Sequence, residues 1–418
     1  MIVLIETIYT KGGVMNHQQL ARRMQRIRPS ATATISDQVR ALEQAGHTVI
    51  NLGEGELDFS TPDHISDAGI AAIVQQQTKY TAVSGTSALK QAIACKFLRD
   101  HQLSFSADEI VAGSGAKPLI FNALLSTLDV GHEVIIPAPY WVSYPDMVML
   151  AEGTPVIVPC HEQYGWKLQP QDLAAALTPE TRWLILNSPS NPTGAIYSAE
   201  ELRGLAEVLS DYPQVLIMSD DIYEPLRYEN TLFSTFAQVA PYLSDRILTI
   251  NGVSKSHAMT GWRLGYAAGP TWLIHAMQTL QSQSTSNPCS ISQAAAVVAL
   301  QQPAEFLSAW MTVLDRRRRQ VLAMIEASNG LSASAPKGAF YIFANCMAFI
   351  GSITPQGQSL DDDQAVASWL LQDAHVAVLH GSAFGTPGYL RIAYAVEDSH
   401  LTQACQRLQD SLAKLILS

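Results

Sequence analysis

The chain is 418 residues long and carries 26 Lys and Arg against 37 Asp and Glu, a formal net charge of −11 with histidine neutral. That acidic balance excludes a nucleic-acid binder, which needs a dense positive field to displace counterions from phosphates. Apolar residues make up 47% and charged residues 15%, which excludes a disordered tail and supplies a sizeable core, divided at this length between two domains.

The N-terminal apolar run Met1-Ile2-Val3-Leu4-Ile5 is followed by Glu6 and Lys11-Gly12-Gly13. It lacks a basic leader and falls far short of the ~20 apolar residues of a membrane span. Residues 1–14 are expected to be a disordered extension, with Met15 an alternative start and helix-like spacing from Leu20 through Met24 and Ile27. With no other candidate span, the expected compartment is the cytoplasm. The five cysteines, Cys95, Cys160, Cys289, Cys346 and Cys405, are scattered, odd in number and outside metal-ligand spacing. They read as buried free thiols in a reducing compartment, and no metal site is expected.

From residue 110 short apolar runs alternate with amphipathic ones. Ile110 to Ala112 precedes a helical stretch through Leu119, Ala123 and Leu128; Val134 to Pro137 precedes Tyr144 to Leu150; Pro155 to Val158 precedes Leu173 to Leu177. Trp183 to Leu186, Val215 to Met218 and Ile247 to Ile250 follow, with a helical Leu202 to Leu209 between the first two. Continuous apolar strands separated by helices predict a mostly parallel sheet covered on both faces.

Beyond residue 300 the texture becomes α+β. A helix is expected from Phe306 to Ile325, a strand at Ala339 to Phe343, a polar loop over 351–363 and a helix through Trp369-Leu370-Leu371. Strands at Val376 to Leu379 and Leu390 to Ala393 and a C-terminal helix complete it. The expected organisation is a large α/β domain over 61–304 and a smaller α+β domain from 15–60 and 305–418. The runs Arg316 to Arg319 and Asp361 to Asp363 read as solvated or ion-paired faces.

In parallel sheets chemistry collects beyond the carboxyl ends of the strands. There the chain places Asn187-Ser188-Pro189-Ser190-Asn191-Pro192-Thr193-Gly194, Ser219-Asp220-Asp221-Ile222-Tyr223 and Gly252-Val253-Ser254-Lys255, which bring an amide, a carboxylate and an amine to one crevice. Only nine lysines occur in the chain, so one placed directly after an apolar strand is informative. A desolvated lysine loses its proton readily, as attack on an aldehyde requires. Taken alone, a lysine paired with Asp220 or Asp221 is an equally good reading.

The segment from Gly252 through Ser254-Lys255, Thr260-Gly261-Trp262-Arg263 to Gly265 resembles the pyridoxal-phosphate attachment pattern of class I aminotransferases of fold type I, the bacterial aspartate aminotransferases in particular. The likeness runs from about Leu20 to the C-terminus, with landmarks in order: Arg28 to Thr32, Lys79-Tyr80, Gly115-Ala116-Lys117, Pro139 to Tyr144, Asn191 to Gly194, Ser219-Asp220, the lysine segment and Tyr389-Leu390-Arg391. The resemblance implies pyridoxal 5′-phosphate as cofactor and a homodimer with shared sites. It makes Lys255 similar to the lysine of the internal aldimine and proton shuttle, and Asp220 to the carboxylate that keeps the pyridine nitrogen protonated. Asn191 and Tyr223 match the hydrogen-bonding partners of the phenolic oxygen, and Trp141 the ring stacked on the cofactor. Gly115, Ala116, Lys117 and Arg263 match the phosphate cradle, with Tyr80 reaching the phosphate from the partner subunit. Arg391 matches the clamp on the substrate α-carboxylate, with Gly55 in backbone contact beside it. Leu57 replaces a usual proline and Glu54 is an unexpected acid in the Gly53 to Phe59 segment.

For the substrate side chain, the position of an arginine found in some relatives aligns with Ser282, whereas Lys117, Ser30 and Thr32 fit the branch that uses a lysine and hydroxyls. Arg28 is a second basic candidate. The expected reaction is transamination of aspartate or glutamate with 2-oxoglutarate or oxaloacetate. Prephenate or aromatic amino acids come next, and a β-lyase or a cofactor-binding regulator is remote.

Overall fold

The computed structural model describes residues 20–301 and 303–417. The expected extension over 1–14 lies outside the described residues. Among the described residues twelve strands run in chain order: β1 (Ile50–Asn51), β2 (Ile110–Gly113), β3 (Glu133–Ala138), β4 (Thr154–Pro159), β5 (Thr181–Asn187), β6 (Leu216–Asp220), β7 (Ile247–Gly252), β8 (Gly265–Ala268), β9 (Tyr341–Asn345), β10 (Val376–Ala377), β11 (Leu379–His380) and β12 (Tyr389–Ala393).

Seven of them form one sheet in the order β2-β8-β7-β6-β5-β3-β4, in which only β8 runs against its neighbours. Side chains alternate between its faces, as the two-residue period of a strand requires. Trp183, Ile185, Met218 and Ile250 join an apolar cluster on one face, while Leu184, Leu186, Ile217 and Ile247 join a second on the other. Burial on both faces explains the unbroken apolar runs. The flanking helix Ala199–Ser210 opens with a capping box, in which Ser198 and Glu201 satisfy each other's backbone N–H.

A second core gathers the antiparallel sheet β11-β12-β9, the helices Phe306–Glu326, Asp363–Trp369 and Asp398–Leu412, and β1 beside β10. It also takes in Ile222, Tyr223, Leu226 and Tyr228, so the chain leaving β6 packs into the smaller core rather than against the large sheet.

Three local expectations are corrected, and the arginine run is ion-paired as expected, though half of it lies inside. The spacing from Leu20 to Ile27 yields only a single 3-10 turn, Arg22–Gln25, with Leu20 and Met24 exposed, because no core faces them; the helix begins at Ala31 after Ser30 caps it. Two of the five free thiols, Cys95 and Cys289, are exposed rather than buried. Arg317 and Arg318 lie inside, where Arg317 forks onto both oxygens of Asp58 at 2.7 and 2.8 Å and Arg318 meets Asp315 and Glu229. The run is ion-paired but half of it is unsolvated. Asp363 is neither solvated nor on an open face: it is buried and accepts from the Ser382 amide, the Ser382 hydroxyl and the Gly388 amide at 2.9, 2.6 and 2.9 Å. Among the described residues no helix is long and apolar enough to cross a membrane.

Candidate active site

The sheet register brings the strand ends level. Asn187 of β5 stands opposite Asp220 of β6, and Asp220 opposite Ile250 of β7. The residues that follow therefore fall into one cleft between the large sheet and the smaller core, a cavity of about 510 Å³. Gly55, Ala116, Lys117, Trp141, Asn191, Asp220, Tyr223, Lys255, Arg263 and Arg391 all line it, together with Ser30 and Thr32.

The Lys255 amine donates to the Gly55 carbonyl. Burial, helped by the Arg391 and Arg263 charges and opposed by Glu56, pulls its pKa down to about 8. Asp220, 4% exposed, accepts from the Tyr144 hydroxyl at 2.5 Å and from the Ile222 amide at 3.4 Å. Burial raises its carboxyl to about 6 against those two hydrogen bonds.

The Tyr223 and Tyr341 hydroxyls lie 2.8 Å apart, and burial lifts both phenols above their ordinary range. Asn191 is set by the Asn187 side chain, which accepts from its backbone N–H at 2.8 Å. Its own side-chain oxygen accepts from Arg391 Nη1 at 2.9 Å.

Arg391 is 2% exposed, its guanidinium 4.6 Å from the centre of the Tyr341 ring and 5.1 Å from that of Phe384. Nη2 donates to the Gly53 carbonyl, and Nε has no partner among the described residues. Burial lowers its proton affinity, and only the phenols of Tyr341 and Tyr223 oppose that. A buried cation without a carboxylate is costly unless an anion arrives to pair with it.

At the other end Gly115 adopts φ +99°, and a Cβ there would fall 2.5 Å from Arg263 Nη2. A Cβ on Gly265 would fall 2.4 Å from the Ala116 nitrogen. The two glycines let the start of the helix Ala116–Leu125, its unpaired N–H groups and a guanidinium close round one point, an arrangement suited to a phosphate. Ala258 and Arg263 both take left-handed backbone, φ 51° and 53°, at roughly 1–2 kcal/mol each, and so fold the segment after Lys255 back towards that point. An amine of lowered pKa, a buried carboxylate and an anion cradle in one cavity fit the aldehyde, ring nitrogen and phosphate of pyridoxal 5′-phosphate.

Lys117 holds its ammonium 4.8 Å over the Trp141 ring; desolvation, then the Arg263 charge, lowers its pKa. Ser30, Thr32 and Ser36 come from one helix end, and Ser36 donates to Glu54 at 2.6 Å. Leu57, in place of the usual proline, is buried in the smaller core.

Three expected residues stand apart. Tyr80 is 92% exposed beside a separate surface pocket, Arg28 is exposed, and Ser282 donates to the Thr279 carbonyl at the exposed end of its helix. Sequence reasoning gave no role to Tyr341, Tyr144, Thr260 and Ser254. The phenols are hard to find because a tyrosine within an apolar run reads as core; the signal is its hydroxyl, which must find a partner once buried.

A profile described as "Aminotransferase class I and II" matches residues 47–408. The aspartate/prephenate aminotransferase of Cereibacter sphaeroides is 51% identical over 396 residues, covering 95% of this chain and 99% of the relative. A crystal structure of the aspartate aminotransferase from Rhizobium meliloti superposes with a TM-score of 0.92 at 47% identity, covering 95% of this chain and all of that one. The Thermus thermophilus aspartate aminotransferase with maleate gives a TM-score of 0.86 at 38% identity, covering 94% and 99%. With a profile match over most of its length and relatives this similar throughout, the chain belongs to the class I and II aminotransferases, the pyridoxal 5′-phosphate-dependent transaminases.

Proposed function

We propose that the protein exchanges an amino group between aspartate or glutamate and 2-oxoglutarate or oxaloacetate, as a cytoplasmic homodimer. The observation that carries this reading is Arg391, a buried guanidinium with an unpartnered Nε in the cavity that also holds the Lys255 amine and the Asp220 carboxylate. The α-carboxylate of an amino acid supplies the missing anion, in bidentate form. The names of the relatives, aspartate and aspartate/prephenate aminotransferases, support the dicarboxylic choice.

The roles follow from position and chemistry. Lys255 would hold the cofactor and would carry a proton to and from the substrate α-carbon; desolvation keeps its amine easy to deprotonate. The cofactor, when bound, supplies an electron sink for that carbon. Asp220 would keep the pyridine nitrogen protonated, with Tyr144 holding the carboxylate in place. Asn191 and Tyr223 would donate to the phenolic oxygen, and Trp141 would cover the ring. The Ala116 and Lys117 amides and Arg263 would hold the phosphate, with Gly115, whose own N–H donates to the Gly113 carbonyl at 2.7 Å, shaping the turn beside it. Gly55 presents its backbone beside Arg391, and Lys117 with Ser30 and Thr32 receives the distal carboxylate.

The exposure of Tyr80, away from its own cavity, supports a second subunit whose phosphate it completes. On this reading 61–304 forms the cofactor domain, and 15–60 with 305–418 the smaller one that carries Arg391. Ile120, Val142 and Trp141 give the cavity an apolar wall beside the polar row, which favours prephenate, a dicarboxylate bearing a ring, as a second acceptor.

Initial rates with aspartate, glutamate, tyrosine and phenylalanine against 2-oxoglutarate, oxaloacetate and prephenate test the proposal. Fast transfer from aspartate and glutamate is expected. Release of ammonia and pyruvate without a 2-oxo acid would instead favour a β-lyase.

A further inference from the structure

Three polar side chains that the reaction does not use meet in the interior, behind the turn after β6. Glu224 accepts from Lys96 and lies 2.7 Å from His101 Nε2, while Lys96 Nζ is 3.2 Å from the same histidine nitrogen and 3.7 Å from Asp100. All three are buried, Lys96 and His101 on the helix Ser87–His101 and Glu224 on the turn. Against its own burial, the attraction of Lys96 and then His101 pulls the Glu224 carboxyl down to about 2. A buried ion cluster of this kind adds little net stability, because desolvation offsets most of the attraction, but it fixes geometry.

What it fixes is adjacent to Tyr223. The Asp221 N–H donates to the Ile250 carbonyl, the Glu224 N–H to the Asp221 carbonyl and the Leu226 N–H to the Tyr223 carbonyl, each at 2.9 Å. The first of these moors the start of the turn to β7. The others lie within the turn; its far side is fastened to the segment before β9 by the Leu226 carbonyl, which accepts from the Ala339 N–H at 2.9 Å, and to the helix Ser87–His101 by the Glu224 side chain. Tyr223 sits between the two moorings, with its hydroxyl in the cavity beside Tyr341.

We infer that the Lys96–Glu224–His101 cluster is a positioning device, which ties the turn to the helix Ser87–His101 and thereby holds the Tyr223 phenol where it donates to the cofactor. This rests on the role proposed above for Tyr223. Loosening the clamp weakens a hydrogen bond that favours the ionised phenolic oxygen, so the proton on the lysine-bound cofactor is held to higher pH.

The test is a spectrophotometric pH titration of the visible band of the loaded enzyme, in a mutant cycle. Tyr223→Phe raises the midpoint by about one pH unit, the worth of one hydrogen bond to a charged acceptor. Glu224→Gln, and Lys96→Met combined with Glu224→Gln so that no buried charge is left unpaired, each raise it by about half as much and add almost nothing on top of Tyr223→Phe. In the cofactor-free chain both clamp variants also speed hydrogen exchange at the Glu224 and Leu226 amides. A midpoint that moves in Tyr223→Phe but stays fixed in both clamp variants, or a clamp shift that persists in full without the Tyr223 hydroxyl, overturns the inference. A midpoint indifferent to Tyr223→Phe overturns the role of Tyr223 itself, and with it the inference.

Discussion

Arg391 Nη1 donates to Asn191 Oδ1 at 2.9 Å, across 200 residues of chain. The bond joins β12 of the smaller sheet to the loop after β5, so the guanidinium and the amide line the cavity as a unit. Arg391→Lys keeps the charge but loses the fork, and every amino acid is expected to bind ~10–100-fold more weakly, as loss of a charge-assisted pair predicts. Steady-state KM values across donors check this; a loss confined to dicarboxylic donors would assign Arg391 to the wrong carboxylate.

Lys117 lies over Trp141 in the cavity and is proposed above to receive the distal carboxylate. Lys117→Ala should lower kcat/KM for aspartate and glutamate by ~10–100-fold while leaving phenylalanine within a few-fold, since only the former lose an ionic partner. Equal losses for all donors would place Lys117 at the phosphate alone.

Tyr144 donates to Asp220 at 2.5 Å and holds down a carboxyl that burial pushes up to about 6. Tyr144→Phe removes that restraint, so the Asp220 pKa rises and the carboxylate is lost at a higher pH as the solution is acidified. The acid limb of cofactor affinity is expected to move upward in pH by about one unit, a hydrogen bond's worth. An unchanged acid limb argues that Tyr144 merely fills space.

Lys255 sits at about 8 in the cofactor-free chain. If its neutral form attacks the aldehyde, as proposed above, the rate of cofactor loading should rise with pH and level off above about 8 rather than above the ordinary lysine range. Glu56 holds the pKa up, so Glu56→Gln should move the midpoint to lower pH. Stopped-flow loading rates across pH read both.

Asp363 accepts from two backbone amides and a hydroxyl in the interior. Asp363→Ala strands those donors, and a loss of about 2–4 kcal/mol is expected from buried, unmade hydrogen bonds. Denaturant unfolding measures it, with an unchanged slope expected because the folded core stays the same size.

Most of the large sheet was legible because both its faces are buried, which writes each strand as an apolar run such as Trp183 to Leu186. β8 was not. Of its residues Gly265, Ala267 and Ala268 are small, Gly265 because a Cβ there would strike the Ala116 nitrogen, and one buried tyrosine, Tyr266, among small residues carries no hydrophobic period. The cavity was legible through the residues that terminate strands and through the lysine segment. Tyr341 and Tyr144 were not, since only the folded chain shows which polar atom a buried hydroxyl meets. Asp363 was misread for a related reason: acids in a run share a composition, not an environment.

The turn that carries Tyr223 is packed from behind by the smaller core, where Phe340 meets the Tyr223 ring edge-on at 5.8 Å. A search for variants with an altered donor range therefore has two territories. One is the wall that touches the ligand, and the other is the distant oily interior around Phe340, where a change of volume is transmitted through an aromatic edge to the reacting end.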